Sequence, residues 1–357
     1  MTRLKQLALG GLAALAIGGM TSSAFATESG SFENRLSAAT IGLPLGALPP
    51  PGLYTGLETA YLGLPQGVPS SGTFIPGGVH LVLPAIANAI PLLYVPGWHF
   101  LGASYGMSVV QAFYVNTTCT PGLGSCGGAG FFGAGNNQIV GGGFVTANTT
   151  FSPLILSWNL GGGWFVSSGF TFMAPDGTRS NFATGQVTPN PDYWTFEIPF
   201  AVSYLANNWN ITANFFYDIN SASQGNCCTG FNAPGGALNG LSETSGNLLY
   251  GDLHALYKIG KWSIGPVAAF EVQTTADTGS VCSAAVGIAL GVCNRTSAAS
   301  VGGLVGYDFG PVDLQVWVTD TIASQNFAEG AGTMNVFTRL GFRLWGPEAP
   351  RPLVAKN

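Results

Sequence analysis

Between Arg35 and Arg179 the chain runs through 143 residues without a single lysine or arginine. A soluble domain covers its surface with charged side chains of both signs, so no water-facing fold accounts for a stretch this bare. A barrel wall in lipid does, because one face meets hydrocarbon and the other a sheltered lumen. The whole chain follows the same rule. Charged residues are 8% of its 357 positions, against roughly 25% in ordinary soluble domains. Helical membrane proteins are also poor in charge. The longest clean apolar run, Leu7 to Met20, is however 14 residues, short of the ~20 that a spanning helix needs. Disorder is excluded by 23 Phe, 8 Trp and 11 Tyr, since disordered chains are poor in aromatics.

The N-terminus has the three parts of a secretory signal peptide. Arg3 and Lys5 form the basic region, Leu7–Met20 the apolar region and Ala24-Phe25-Ala26 the small-residue cleavage site. Removal of residues 1–26 leaves nine basic against sixteen acidic residues, a net charge of −7. An exported, acidic chain without basic clusters is not built for nucleic acid.

Alternation with period two marks the strands. In 333–345, Met334, Val336, Leu340, Phe342 and Leu344 share one face, and Asn335, Arg339, Gly341 and Arg343 the other. In 193–205, Trp194, Phe196, Ile198, Phe200, Val202 and Tyr204 oppose Thr195, Glu197 and Ser203. The same pattern runs through 209–220, 248–257 and 312–319. A soluble sandwich also alternates, but it charges its outer face; here the polar face is Gly, Asn, Ser and Thr. The spacing predicts an all-β, antiparallel transmembrane β-barrel of about twelve strands, with ten or fourteen as alternatives. The strands are 52–62, 79–95, 98–115, 142–159, 162–174, 193–206, 208–220, 246–259, 261–273, 299–309, 311–322 and 333–345. Short periplasmic turns then alternate with long external loops. Trp98, Trp158, Trp164, Trp194, Trp209, Trp262 and Trp345 fall near strand ends, where aromatic girdles meet headgroups. Residues 27–51 precede the wall, 52–345 form it, and 346–357 are a periplasmic tail.

All six cysteines fall in the long loops: Cys119 and Cys126, Cys227 and Cys228, Cys282 and Cys293. In an exported protein an even number points to loop disulfides. The local pairs 119–126 and 282–293 are the simplest of the 15 connectivities open to six cysteines. The spacings lack the cysteine–histidine pattern of a zinc site, and neither metal nor cofactor is expected.

Several segments, taken in order, carry a resemblance. They are Leu48-Pro49-Pro50-Pro51-Gly52-Leu53-Tyr54, then Ile90-Pro91-Leu92-Leu93-Tyr94-Val95-Pro96 with Leu101-Gly102, then Leu156-Ser157-Trp158. Ala174-Pro175-Asp176-Gly177 follows, with Asn190 to Ser203 around Tyr193-Trp194-Thr195-Phe196, Tyr217-Asp218-Ile219-Asn220 and Gln273-Thr274-Thr275-Ala276-Asp277. Over about residues 45–345 the chain resembles the bacterial outer-membrane family named for the meta-pathway of phenol degradation, often labelled transporter or SphA-like. The usual Pro-Thr-Gly is Pro-Asp-Gly here. The resemblance implies an outer-membrane barrel that passes apolar, often aromatic, compounds.

Enzyme motifs are absent: there is no GxSxG elbow, no HExxH and no phosphate loop. His254, two positions from Asp252, is the sole plausible base for a lipase-like hydrolase, and no catalytic residue is expected. The informative charges are those on the polar face. Glu58, Glu197, Asp218, Asp252, His254, Glu271, Asp308 and Asp313 share a lumen with Arg339 and Arg343, where charges must pair or meet water. Barrel closure brings the first and last strands together, which makes Glu58 the first candidate among the acidic residues expected opposite Arg339 and Arg343. The Pro-rich segment 27–51 is long enough to enter the lumen as a plug, or else it is a flexible periplasmic tail. Two functions remain. One is a passive channel for small apolar or aromatic solutes. The other is a structural or adhesive barrel that acts through its disulfide-bearing loops. The expected surroundings are outer-membrane lipid and lipopolysaccharide, reached through the barrel-assembly machinery.

Overall fold

A computed structural model describes residues 34–65, 85–116, 143–178, 190–223, 241–285, 288, 293–325 and 333–347. Its strands are β1 (Gly52–Pro65), β2 (Ala85–Val95), β3 (His99–Phe100), β4 (Ala103–Asn116), β5 (Gly143–Thr146), β6 (Thr149–Gly161), β7 (Trp164–Ala174), β8 (Thr195–Ala206), β9 (Trp209–Asn220), β10 (Leu248–Ile259), β11 (Trp262–Gln273), β12 (Ser297–Asp308), β13 (Val312–Gln325) and β14 (Thr333–Trp345). Neighbours pair antiparallel along the chain, β4 bonds β2 on one side and β6 on the other, and β14 returns to β1. The result is a closed antiparallel barrel of twelve staves, of the outer-membrane kind. Closure leaves no edge, so every stave satisfies its backbone groups against two neighbours, as a hydrocarbon surrounding requires.

Alternation puts polar side chains inside and apolar ones outside. On β8, Glu197 and Ser203 are 1% and 0% exposed, while Ile198 and Phe200 between them are 49% and 45% exposed. This inverts the order of a soluble sheet and is the signature of a lipid-facing wall. The short turns gather at one end. Asn207 and Asn208 both take positive φ, the backbone of the two-residue hairpin that matches strand twist. Gly260, at φ 62, serves the β10–β11 turn. Trp164, Trp209 and Trp262 begin strands at this end and Trp345 closes one. All four are among the large exposed apolar side chains.

Beyond shifts of one to three residues at strand ends, the strands differ from the expected ones in two places. The segment expected as one strand over 98–115 turns back on itself. His99 and Phe100 pair with Ser104 and Ala103, and Leu101 and Gly102 take positive φ between them. The segment expected as 142–159 is broken at Ala147 and Asn148 into β5 and β6. The Asn148 side chain is occupied: its Nδ2 donates to Asn34 and Pro191, and its Oδ1 accepts from the Gly177 N–H. The chain leaves the ladder where this side chain ties other segments to the wall. Residues 79–84, the expected leader 1–26 and positions 348–357 lie outside the described residues, as do Cys119, Cys126, Cys227 and Cys228. Cys282 and Cys293 form a disulfide in the segment between β11 and β12.

The outward face generates a parity test. Arginine in place of Ile198 or Leu253 should cost about 2–4 kcal/mol near mid-membrane. Serine at the inward Thr319, which is 1% exposed, should cost less. Equilibrium unfolding from lipid bilayers measures both, and equal losses on the two faces would contradict the assignment.

Candidate functional site: the lumen and the segment inside it

Residues 34–51 run down the inside of the barrel from the loop end to the turn end. Asn34 Nδ2 donates to Thr195 Oγ1, at the loop end of β8. The Ala38 and Thr40 N–H groups donate to the two oxygens of Asp252, each at 2.9 Å. The Thr40 hydroxyl adds a bond of 2.6 Å. Lower down, the Gly42 N–H donates to His254 Nδ1 at 3.2 Å and the Gly46 N–H to Ser203 Oγ at 3.1 Å. The Leu48 N–H donates to Ser157 Oγ at 3.3 Å. Ser157 and Ser167 return hydroxyl bonds to the Gly46 and Leu45 carbonyls. Gly46 has no room for a side chain, since a Cβ there would lie 2.7 Å from the Ser203 backbone nitrogen.

The lumen has two unlike sides. The partners just described come from β6 to β10 and bond mostly the backbone of the segment. Facing them, Ala60, Leu62, Ala87, Val267, Ala269, Leu304, Trp317 and Phe337 form one apolar cluster with Ala38 and Ile41 of the segment. Trp317 and Phe337 stack with ring centroids 5.0 Å apart and planes 1° from parallel. The Trp317 indole N–H donates to the Ala38 carbonyl at 3.2 Å.

Arg339 stands between the two sides. Its Nε lies 2.6 Å from Glu58 Oε1, its cross-strand neighbour on β1. It also donates to the Ile41 and Ala39 carbonyls and to Gln315 Oε1, and its guanidinium lies 4.7 Å from the Trp317 ring centroid. Glu197 and Asp218 face each other across β8 and β9, and Arg35 of the segment reaches Glu197 at 2.5 Å. Glu271 is buried on β11, in register with Tyr250.

Three of the expected lumen residues are elsewhere. Asp308 and Asp313 are cross-strand partners at the β12–β13 turn. The Asp308 side chain is 41% exposed and binds Lys258 at 3.1 Å. Arg343 lies at the same end, where it donates to the Pro51 and Trp345 carbonyls and lies over Tyr54. Parity selects the face of a strand, but these three stand too close to the turns to line the interior. His254 is no general base poised over a nucleophile. Its Nδ1 accepts from Gly42, and its Nε2 is within 3.2 Å of Asn210 Oδ1. The inward aromatics Trp317, Phe337 and Phe216 were missed, although each falls on the polar parity of its strand.

At the loop end, residues 241–246 and 274–280 are joined by an antiparallel bridge, Thr244 with Thr278, and by Ser242 with Ser280. Glu243, Asp277 and Cys293 place possible ligand atoms within 4.8 Å of one another, but Cys293 is spent in its disulfide. Asp277 Oδ1 accepts from the Gly246 N–H and Gln273 Nε2. Burial raises its pKa to about 6, against the opposing pull of these two bonds and of Arg295.

Two expectations follow. Arg339→Met strips one charge from a buried pair and should cost about 3–5 kcal/mol, read by unfolding in lipid, with Glu58→Lys also destabilising. Asp277 binds its proton more tightly folded than unfolded, so its contribution falls as pH rises from about 4 through about 6. The protection factor of the Gly246 amide, its exchange relative to the intrinsic rate at each pH, should therefore fall over that range. Asp277→Asn should abolish the dependence.

The family model for the MetA-pathway of phenol degradation matches residues 69–336. No curated protein matches the sequence. Among solved structures, an outer membrane channel from Pseudomonas putida F1 superposes with a TM-score of 0.58 at 11% identity, over 83% of this chain and 96% of that one. The toluene transporter TodX of Pseudomonas putida is a looser likeness: its TM-score is 0.41 at 10% identity, over 87% and 94%.

Proposed function

We propose, for a chain that belongs to the family of the MetA-pathway of phenol degradation, that it is a passive outer-membrane channel for small apolar or aromatic compounds. The observation that carries this reading is the apolar inner side around Trp317 and Phe337. A general porin has a polar, water-filled interior. An apolar strip inside a barrel instead offers a route to a solute that the polar lipopolysaccharide layer slows. Ala38 and Ile41 of the segment occupy this strip, so solute and segment compete for the same surface. The backbone bonds to Asp252, Ser203 and Arg339 hold the segment in place, and its displacement opens the path.

In this reading the chain is exported, cleaved after Ala26 and assembled into the outer membrane by the barrel-assembly machinery. Its long loops face lipopolysaccharide and its short turns the periplasm. The density of bonds around the segment also favours a second reading, a permanently closed structural barrel that works through its loops.

Flux into proteoliposomes separates the two. The channel reading predicts faster entry of a small neutral aromatic than into protein-free vesicles. Phe337→Asn should slow that entry several-fold, without reducing ion conductance. Entry no faster than in empty vesicles would favour the structural barrel.

A further inference from the structure

Glu197 and Asp218 are direct cross-strand partners on the inner faces of β8 and β9, and they are 1% and 2% exposed. Like charges directly opposite one another repel, and the repulsion grows as the surroundings become less polar. The pair therefore calls for a cation. Phe216, two residues before Asp218, points to the same face and is buried. Two carboxylates beside an aromatic face make a seat suited to a planar guanidinium, which can bond a carboxylate and stack at once.

The occupant of this seat comes from the segment and not from the wall. Arg35 Nε lies 2.5 Å from Glu197 Oε2, and its guanidinium is 3.4 Å from the Phe216 ring centroid. Asp218 and Asp252 add their attraction. Most of the other holding points bond backbone groups of the segment, which any sequence would supply. Arg35 is a side-chain contact specific for charge and shape, and it lies at the loop end, where a solute from outside would enter.

We propose that Arg35, seated on Glu197, Asp218 and Phe216, is the latch that keeps the outer end of the segment inside the lumen. Release of this one side chain frees the segment to leave the apolar strip. As a device that regulates passage it rests on the channel reading, but the latch itself can be tested without any solute.

The test places a cysteine at Ser37 and follows its labelling by a water-soluble maleimide. The barrel is purified and reconstituted, and the parent chain serves as the blank. Arg35→Gln should speed labelling about tenfold, because a buried charged contact governs the local opening equilibrium. Glu197→Gln should do the same. The double variant should be no faster than either single one, since both remove the same contact. Arg35→Lys, which keeps the charge but not the planar fork, should fall between. Arg35 lies off the wall, so Arg35→Gln leaves the barrel ladder intact, and heat-modifiable gel migration checks this. Labelling unchanged in Arg35→Gln would overturn the latch, whatever the flux. Faster labelling without any aromatic flux would support the latch and count against the channel.

Discussion

Hydrocarbon offers no partner to a backbone N–H or C=O, and the rest of the molecule follows from that deficit. The ladder must close, so β14 returns to β1 and every stave has two neighbours. Closure with strict alternation sends half of all side chains outward. That half must be apolar, which is why the chain can do without basic residues over 143 positions. The other half is driven inward, and a narrow interior cannot hydrate all of it. The inner polar groups need partners of their own.

Residues 34–51 supply many of those partners. Their N–H groups meet Asp252, His254, Ser203 and Ser157, and their carbonyls meet Arg339, Trp317 and Ser167. An irregular segment has unpaired backbone groups to spend, and a polar wall has groups that need them. Burial of either alone would be costly; together they satisfy each other. On its other side the segment presents Ala38 and Ile41 to Trp317 and Phe337. It thus resembles a bound molecule with one polar and one apolar edge, and its residence leaves the imprint of what else could lie there.

Much of this was legible in the sequence, because the constraints that shape a barrel are local and periodic. Parity assigned the faces of β8, β9, β10, β13 and β14. The meeting of first and last strands put Glu58 opposite the arginines of the last strand, and of the two it is Arg339 that it meets. Parity carries no information on height, which is why Asp308, Asp313 and Arg343 appeared to belong to the interior when they stand at its rim. Trp317 and Phe337 are aromatics on a polar face, and they look like exceptions until the opposing apolar surface of Ala38 and Ile41 is known. The break at Ala147 and Asn148 depends on contacts with Asn34 and Pro191, which are distant in sequence. The path of 34–51 has no periodicity to read, so plug and tail were equal from sequence alone.

The most direct test of the account asks whether the route runs through the space the segment fills. Cysteines at Thr40 and Asn214, joined by a short disulfide-containing cross-linker, would pin the segment to the wall beside the apolar strip, since Thr40 Oγ1 lies 3.2 Å from Asn214 Nδ2. Flux of a small neutral aromatic into proteoliposomes is then compared before and after reduction of that added bridge. The account predicts entry at the empty-vesicle rate while the bridge is intact, and recovery to the unmodified protein's rate once it is reduced. Equal flux in the bridged and reduced states would show that solute does not use the lumen beside the segment, and would contradict the account.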